Sequence, residues 1–237
     1  MIELHAFDDP RAQAGALARA VGDALNASLA ASGAALSAAS RATLAVSGGT
    51  SPRAFLQALG GEPVDWRRVD VTLVDDRWVP ETDPASNARL VRETLLGDAS
   101  RPVQSARFLP LVDVSSPFEE NVAALNADPA RALPDVAVLG MGEDGHTASL
   151  FADAPEWSHA IDPAAERFVA VRPGTAPHAR VSLSLAALTR IPRLFLQIAG
   201  PRKLDVLKAA TRVPQENAIS KLANDKGVRL DVYWCAN

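Results

Sequence analysis

Short apolar runs alternate with stretches of helical periodicity along most of this chain, and no other feature of the sequence restricts its fold as much. Thr43-Leu44-Ala45-Val46 precedes a helical pattern from Pro52 to Leu59, and Val69 to Val74 precedes another from Ala85 to Leu96. Asp135-Val136-Ala137-Val138-Leu139, Phe168-Val169-Ala170-Val171 and Leu194 to Ala199 continue the series, the last leading into a helix from Pro201 to Ala210. A closing strand is expected near Val228 to Trp234. Strands that return through helices must lie parallel. The pattern therefore predicts an α/β fold with three layers, a mostly parallel sheet carrying helices on both faces. An Ala-rich stretch from Asp9 to Ala39 supplies helix before the first of these strands. Gly33 is expected to divide it in two, because glycine costs roughly 1 kcal/mol against alanine in a helix interior.

The 237 residues, 48% of them apolar, are enough for one large core, and no repeat or low-complexity linker divides them. A single domain over 1–237 is expected. The formal net charge of −4 argues against a nucleic-acid or acidic-membrane partner, which would need a basic surface. A small anionic ligand would instead have to meet locally placed cations. The single cysteine, Cys235, cannot form an intrachain disulfide, and the first residues lack the charged and apolar regions of a signal peptide. A cytoplasmic setting follows as the expectation. The sequence leaves the oligomeric state open, with a monomer favoured.

In open parallel sheets, ligands bind beyond the carboxyl ends of the strands, so the residues after each apolar run hold the candidates. The first run ends in Ser47-Gly48-Gly49-Thr50-Ser51-Pro52. Adjacent glycines can turn backbone N–H groups toward a ligand, and a helix that starts there can hold phosphate. The same residues also suit a tight turn with no ligand. A Gly-Lys-Ser/Thr ending is missing, which excludes a Walker-type triphosphate loop. The next run delivers Asp75-Asp76-Arg77, two carboxylates and a guanidinium that could orient sugar hydroxyls and offset a developing oxyanion, or else form a solvated turn. Asn87 could face the same place from the first turn of the following helix.

The third run ends in Gly140-Met141-Gly142-Glu143-Asp144-Gly145-His146-Thr147. Its G-x-G-x-x-G spacing matches a dinucleotide fingerprint, but Pro155 curtails the long helix that such a site needs, and the next strand ends in Arg172 rather than an acid, which weakens NADP without excluding it, since an arginine could accept a 2′-phosphate. The other reading makes His146 the chemical centre, a neutral imidazole able to take a proton from water near neutral pH. Arg180, expected before a helix-prone segment, and Lys203, in the first turn of a helix, add cations. Cations at a helix N-terminus oppose its dipole, so an anion nearby would rationalise Lys203 or Arg202.

Taken in order, Ser47 to Pro52, Asp75-Asp76-Arg77-Trp78-Val79-Pro80, Gly140 to Phe151 and Gly200-Pro201-Arg202-Lys203 resemble the 6-phosphogluconolactonase family. Asp-Gly-His-Thr-Ala-Ser-Leu-Phe, from Asp144 to Phe151, is the most specific part. The resemblance implies the fold shared with glucosamine-6-phosphate deaminase and ribose-5-phosphate isomerase. It also implies hydrolysis of 6-phosphoglucono-δ-lactone in the oxidative pentose phosphate pathway, with no required cofactor; no metal is expected, because the candidate residues gather no cluster of His, Cys and carboxylates at ligand spacing. Carried over by position, His146 resembles the general base, Arg77 and Asp75 the pair at the lactone end, and Gly48, Gly49, Thr50, Arg180 and Lys203 the phosphate-binding set. The chain departs from the family's usual Asp-Glu-Arg at Asp76 and from its Phe-Pro at Phe151-Ala152, and nothing is assigned in 214–218. The related deaminase carries a glutamate five residues after the histidine, where this chain has Phe151, and a phenyl ring cannot relay a proton. A non-catalytic sugar-phosphate sensor is the alternative of another class, separable from an enzyme by turnover.

Overall fold

The structure is a computed structural model that describes residues 1–33, 41–49 and 51–236. In chain order its first half runs β1 (Ile2–Phe7), α1 (Pro10–Gly33), β2 (Ala42–Val46), α2 (Pro52–Leu59), β3 (Val69–Leu73), β4 (Asp75–Arg77), α3 (Asn87–Thr94), β5 (Arg107–Phe108) and α4 (Phe118–Ala127). The second half runs β6 (Val136–Leu139), α5 (Trp157–Ala160), β7 (Phe168–Val171), β8 (Arg180–Leu183), α6 (Leu185–Leu188), β9 (Arg193–Ala199), α7 (Pro201–Arg212), α8 (Ala218–Asn224) and β10 (Leu230–Cys235).

Seven strands form the central sheet in the order β1-β10-β9-β6-β2-β3-β5, and every neighbouring pair is parallel. The α/β expectation is met: the sheet is parallel and helices surround it. All residues of β3 and β6 are buried, which is why these strands read as unbroken runs rather than as alternating ones. α1 contacts β1, β2, β6 and β10 and packs against α2. Its described length ends at Gly33, the glycine at which a break was expected, and 34–40 lie outside the described residues.

Two expectations are corrected. Phe168–Val171 does not join the central sheet, and Arg180 does not lie in a loop before a helix but opens a strand, β8, which then leads into α6. β4, β8 and β7 make a separate antiparallel sheet of three strands, in which Arg77 pairs with Arg180 and Val171 with Arg180 on the other side. The cause lies at Val74. Its N–H still donates to Val46 O at 3.0 Å, while its carbonyl accepts from Leu183 N at 2.9 Å, so the chain leaves one sheet and enters the other within a residue. Strand β1 was not foreseen. It lies at the sheet edge, where half-exposed residues give no clear apolar pattern.

A polar side chain ties the first helix to the sheet. Gln13 is 3% exposed, and its Nε2 donates to Ile198 O at 2.9 Å and Tyr233 O at 2.8 Å, bridging the ends of β9 and β10. Gln13→Leu would keep the bulk and strand two buried carbonyls. Urea denaturation should therefore show a loss of roughly 1–3 kcal/mol, and an unchanged midpoint would mean that the carbonyls find other donors.

Candidate active site

Strands β2 and β6 are neighbours, yet the chain leaves them in opposite directions, β2 toward β3 and β6 eventually toward β9. No connection crosses above such a reversal, so a crevice opens at the carboxyl ends of the two strands. A cavity of about 260 Å³ lies there. Its walls include Ser47, Gly48 and Gly49 after β2, and Gly140, Gly142 and His146 after β6. The two walls are tied together: Ser47 N donates to Val138 O and Gly140 N to Ser47 Oγ, both at 3.0 Å.

The loop that carries His146 is folded back on itself. Gly142 N donates to His146 O at 2.9 Å and Gly145 N to Gly142 O at 3.1 Å, which brings His146 Nδ1 to 2.6 Å from Asp144 Oδ1. A Cβ on Gly142 would lie 2.3 Å from ring atoms of His146 and from Asp144 Oδ1, so only glycine permits this turn. Partial burial works against the charged form of Asp144, but hydrogen bonds from His146 and its charge outweigh that and hold the pKa below its ordinary value. A carboxylate only accepts, so Nδ1 is the donor and Nε2 is left as the proton acceptor of the neutral ring. The imidazole also stacks on Phe151, with centroids 4.0 Å apart. After the loop come turns up to α5; the long helix that a dinucleotide fingerprint requires is not there.

The short sheet provides the opposite wall. Asp75, Arg77 and Arg180 all line the cavity. Asp75 is buried and accepts from Ser149 Oγ at 2.5 Å, while Arg180 Nη1 donates to the same hydroxyl at 3.3 Å and stands 3.9 Å from the Asp75 carboxylate. Burial pushes the Arg180 pKa down and the charge of Asp75 opposes the shift. Arg180 also lies over Phe151, 5.1 Å from its centroid. Arg77 Nη1 donates to Ala85 O at 2.8 Å and Asn87 Oδ1 at 2.9 Å. Asp76, which carried no assignment, is 1% exposed and accepts from the backbone N–H of Arg77, Asn87 and Ala88 at 2.8, 2.7 and 3.0 Å.

The structure therefore gathers His146, Arg77, Asp75, Gly48, Gly49, Arg180 and Lys203 around one cavity. Thr50 lies outside the described residues. Lys203 reaches the cavity from the first turn of α7, whereas the neighbouring Arg202 is exposed and faces Glu143 at 3.6 Å. Asn87 lines the wall too, as its place in the first turn of α3 suggested. Ser149 and Gln197 were missed: no local pattern marks a serine inside a loop or a single amide in an apolar strand. Among the described residues, Glu3, His5 and Asp231 converge closely enough to hold a metal, but on β1 and β10, where Arg229 and Arg193 already pair with the carboxylates.

A model of the family described as glucosamine-6-phosphate isomerases/6-phosphogluconolactonase matches residues 12–230. The chain is 42% identical over 238 residues to a 6-phosphogluconolactonase of Pseudomonas aeruginosa, covering 98% of this chain and 94% of the other. It is 39% identical over 239 residues to a 6-phosphogluconolactonase of Neisseria meningitidis, covering 99% of each. The crystal structure of a 6-phosphogluconolactonase from Shewanella baltica superposes with a TM-score of 0.87 at 33% identity, covering 100% of this chain and 98% of that one.

Burial pushes the Asp76 carboxyl up to about 6 from 3.8, against the three backbone hydrogen bonds, which favour its charged form. The folded protein thus keeps this proton through a pH window in which the unfolded chain has released it. The stability contributed by the shift is complete below pH 3.8 and is lost as pH rises through about 6. Measured against Asp76→Asn, which has no proton to lose, the wild type should give up on the order of 3 kcal/mol between pH 4 and 7 in urea denaturation. A difference between the two proteins that stays flat with pH would refute the raised pKa.

Proposed function

The chain belongs to the glucosamine-6-phosphate isomerase/6-phosphogluconolactonase family, and we propose that it is a cytoplasmic enzyme that hydrolyses 6-phosphoglucono-δ-lactone to 6-phosphogluconate. The observation that carries the proposal is the 2.6 Å contact of Asp144 with His146 Nδ1, set across one cavity from an anchored arginine. That contact fixes the tautomer of a base and leaves its other nitrogen for water. The same logic governs the histidine of hydrolytic triads, where a carboxylate orients the imidazole and stabilises the imidazolium that forms.

In the proposed reaction Nε2 of His146 removes a proton from water as its oxygen attacks the lactone carbonyl. Arg77 meets the oxyanion that develops. Both of its side-chain hydrogen bonds leave from Nη1, so Nη2 has no hydrogen-bond partner among the described residues and is free for the ligand. Collapse of the tetrahedral intermediate breaks the bond to the ring oxygen, which takes the proton from the imidazolium. The acid is released and His146 is neutral again. Asp75 shapes the same end of the cavity through Ser149 and Arg180. Gly48, Gly49, Thr50, Arg180 and Lys203 form the proposed phosphate set, which holds the far end of the substrate and so converts binding into orientation. No cofactor and no metal is needed by these steps.

The cytoplasmic part of the proposal is supported by Cys235, which is buried and free, and by the lack of any helix long and apolar enough to cross a membrane among the described residues. The test of the whole is to follow freshly generated 6-phosphogluconolactone with and without the protein, corrected for spontaneous hydrolysis. Loss of the lactone at the background rate would reject the enzyme and favour a sensor.

His146→Asn keeps a compact polar side chain and removes the base. The variant should bind 6-phosphogluconate normally while kcat falls by roughly 10²–10⁴-fold, and a near-normal kcat would mean that another group accepts the proton. Lys203→Ala tests the other end. Charge-assisted contacts to phosphate are worth roughly 1.5–3 kcal/mol, so kcat/KM for the phosphorylated lactone should drop by about 10–100-fold while that for unphosphorylated gluconolactone stays level. Equal losses on both lactones would remove Lys203 from the phosphate site.

A further inference from the structure

An arginine that stabilises an oxyanion must be held in place before the charge appears, because a flexible guanidinium would have to be ordered during the reaction. Arg77 is held at one corner, by Ala85 O and Asn87 Oδ1, both through Nη1. Its Nε is buried without a partner, which leaves Asn87 as the only side chain among the described residues bonded to this guanidinium.

Asn87 is 2% exposed, and the polarity of its amide is fixed by its neighbours. Oδ1 accepts from Arg77, and Nδ2 donates to the backbone carbonyl of Asp75 at 2.9 Å. Turning the amide over would set two donors against each other at one end and two acceptors at the other. The amide also fills the space beside the glycine turn: a Cβ on Gly48 would lie 1.7 Å from Asn87 Oδ1. One side chain therefore touches the arginine, the backbone of Asp75 and the turn after β2. Its own backbone is fixed by Asp76, whose Oδ1 accepts from both Arg77 N and Asn87 N, and whose Oδ2 accepts from Ala88 N. A single buried carboxylate thus locks the start of α3 to β4, with Arg77 on one side of the joint and Asn87 on the other.

We propose that Asn87, with its backbone fixed by Asp76, is the positioning residue for Arg77, setting the direction of the guanidinium and its spacing from the Gly48 turn. The proposal rests on the lactonase reading above. Asn87 acts on the reaction through Arg77, so its contribution disappears when Arg77 is absent.

Purified wild type, Asn87→Ala, Arg77→Ala and the double variant, assayed on 6-phosphogluconolactone, provide the test. Asn87→Ala keeps the backbone N–H that bonds Asp76, so the joint itself stays intact. Misplacement of the arginine should lower kcat by roughly 10–100-fold, with affinity for 6-phosphogluconate changed by less than about threefold. In the Arg77→Ala background the same substitution should change kcat by less than about twofold, the non-additivity of two residues that work as one. Asp76→Asn gives a second route to the same coupling; if it fails to fold, the Asn87 cycle alone decides. Losses of equal size in both backgrounds would assign Asn87 a purely structural role and overturn the proposal, as would an effect on KM alone. A wild type that does not accelerate lactone loss would overturn the lactonase reading and this one together, whereas additive losses in an active enzyme would remove only the positioning role.

Discussion

The reversal of strand order between β2 and β6 is the constraint on which the rest of the site depends. In a parallel sheet each strand must be followed by a return to the far edge, and most returns cover the strand ends they leave. Between β2 and β6 they diverge, so the ends of both strands stay uncovered and their last polar groups need partners. Part of that need is met across the gap, by Ser47 with Val138 and Gly140. What is left uncovered is the cavity. The glycine turn, the start of α2 and the folded-back histidine loop surround it because they are the segments that leave those two strands.

A second condition follows from putting charge beside that opening. The antiparallel register sets Arg77 directly opposite Arg180, and both are removed from much of the solvent. Two guanidiniums side by side repel, and burial adds to the cost of each charge. The structure offsets this with Asp75, bridged to Arg180 through Ser149, and with the Asp76 carboxylate beside them. An apolar wall would hold the fold at lower cost. Three of these ionisable groups, Asp75, Arg77 and Arg180, line the cavity, and burial shifts the pKa of Arg180 and of Asp76 behind them, the kind of association on which the proposed site rests.

The inner strands of the central sheet were legible in the sequence because they are covered on both faces and carry apolar residues in runs, as Val136 to Leu139 do, whereas the edge strands β1 and β5 were not. Nor was the small sheet. Asp75-Asp76-Arg77 has no strand-like composition, and it becomes a strand only because residues about a hundred positions later pair with it. Arg180 was therefore set before a helix, although its place at the cavity was foreseen. Turns announced themselves better than pairings: Gly142 and Gly145 marked the loop that brings Asp144 back to His146, since a side chain on Gly142 would meet the ring of His146 and Gly145 adopts a positive φ. The role of Asp76 was illegible for a further reason. Its partners are backbone N–H groups, which every residue carries, so no side-chain pattern near Asn87 could point back to it.

Phe151 connects these observations to the chemistry. It is in contact with both the imidazole of His146 and the guanidinium of Arg180, at the position where the related deaminase carries an ionisable side chain. A phenyl ring neither accepts nor donates a proton, so in the proposed reaction proton movement beside the ring falls to His146 and its partner Asp144. Ester hydrolysis asks no more than that, because the proton taken from water in the first step is the one returned to the leaving oxygen in the second. Release of an amine with ring opening would need protons delivered at separate places, and a second relay to carry them. The stack also lays a flat apolar surface against the imidazole and restricts its rotation, while Asp144 fixes which nitrogen is protonated. Contacts of two kinds therefore set the orientation and the tautomer of one ring, which suits it to the proposed role of a base that carries a single proton out and back.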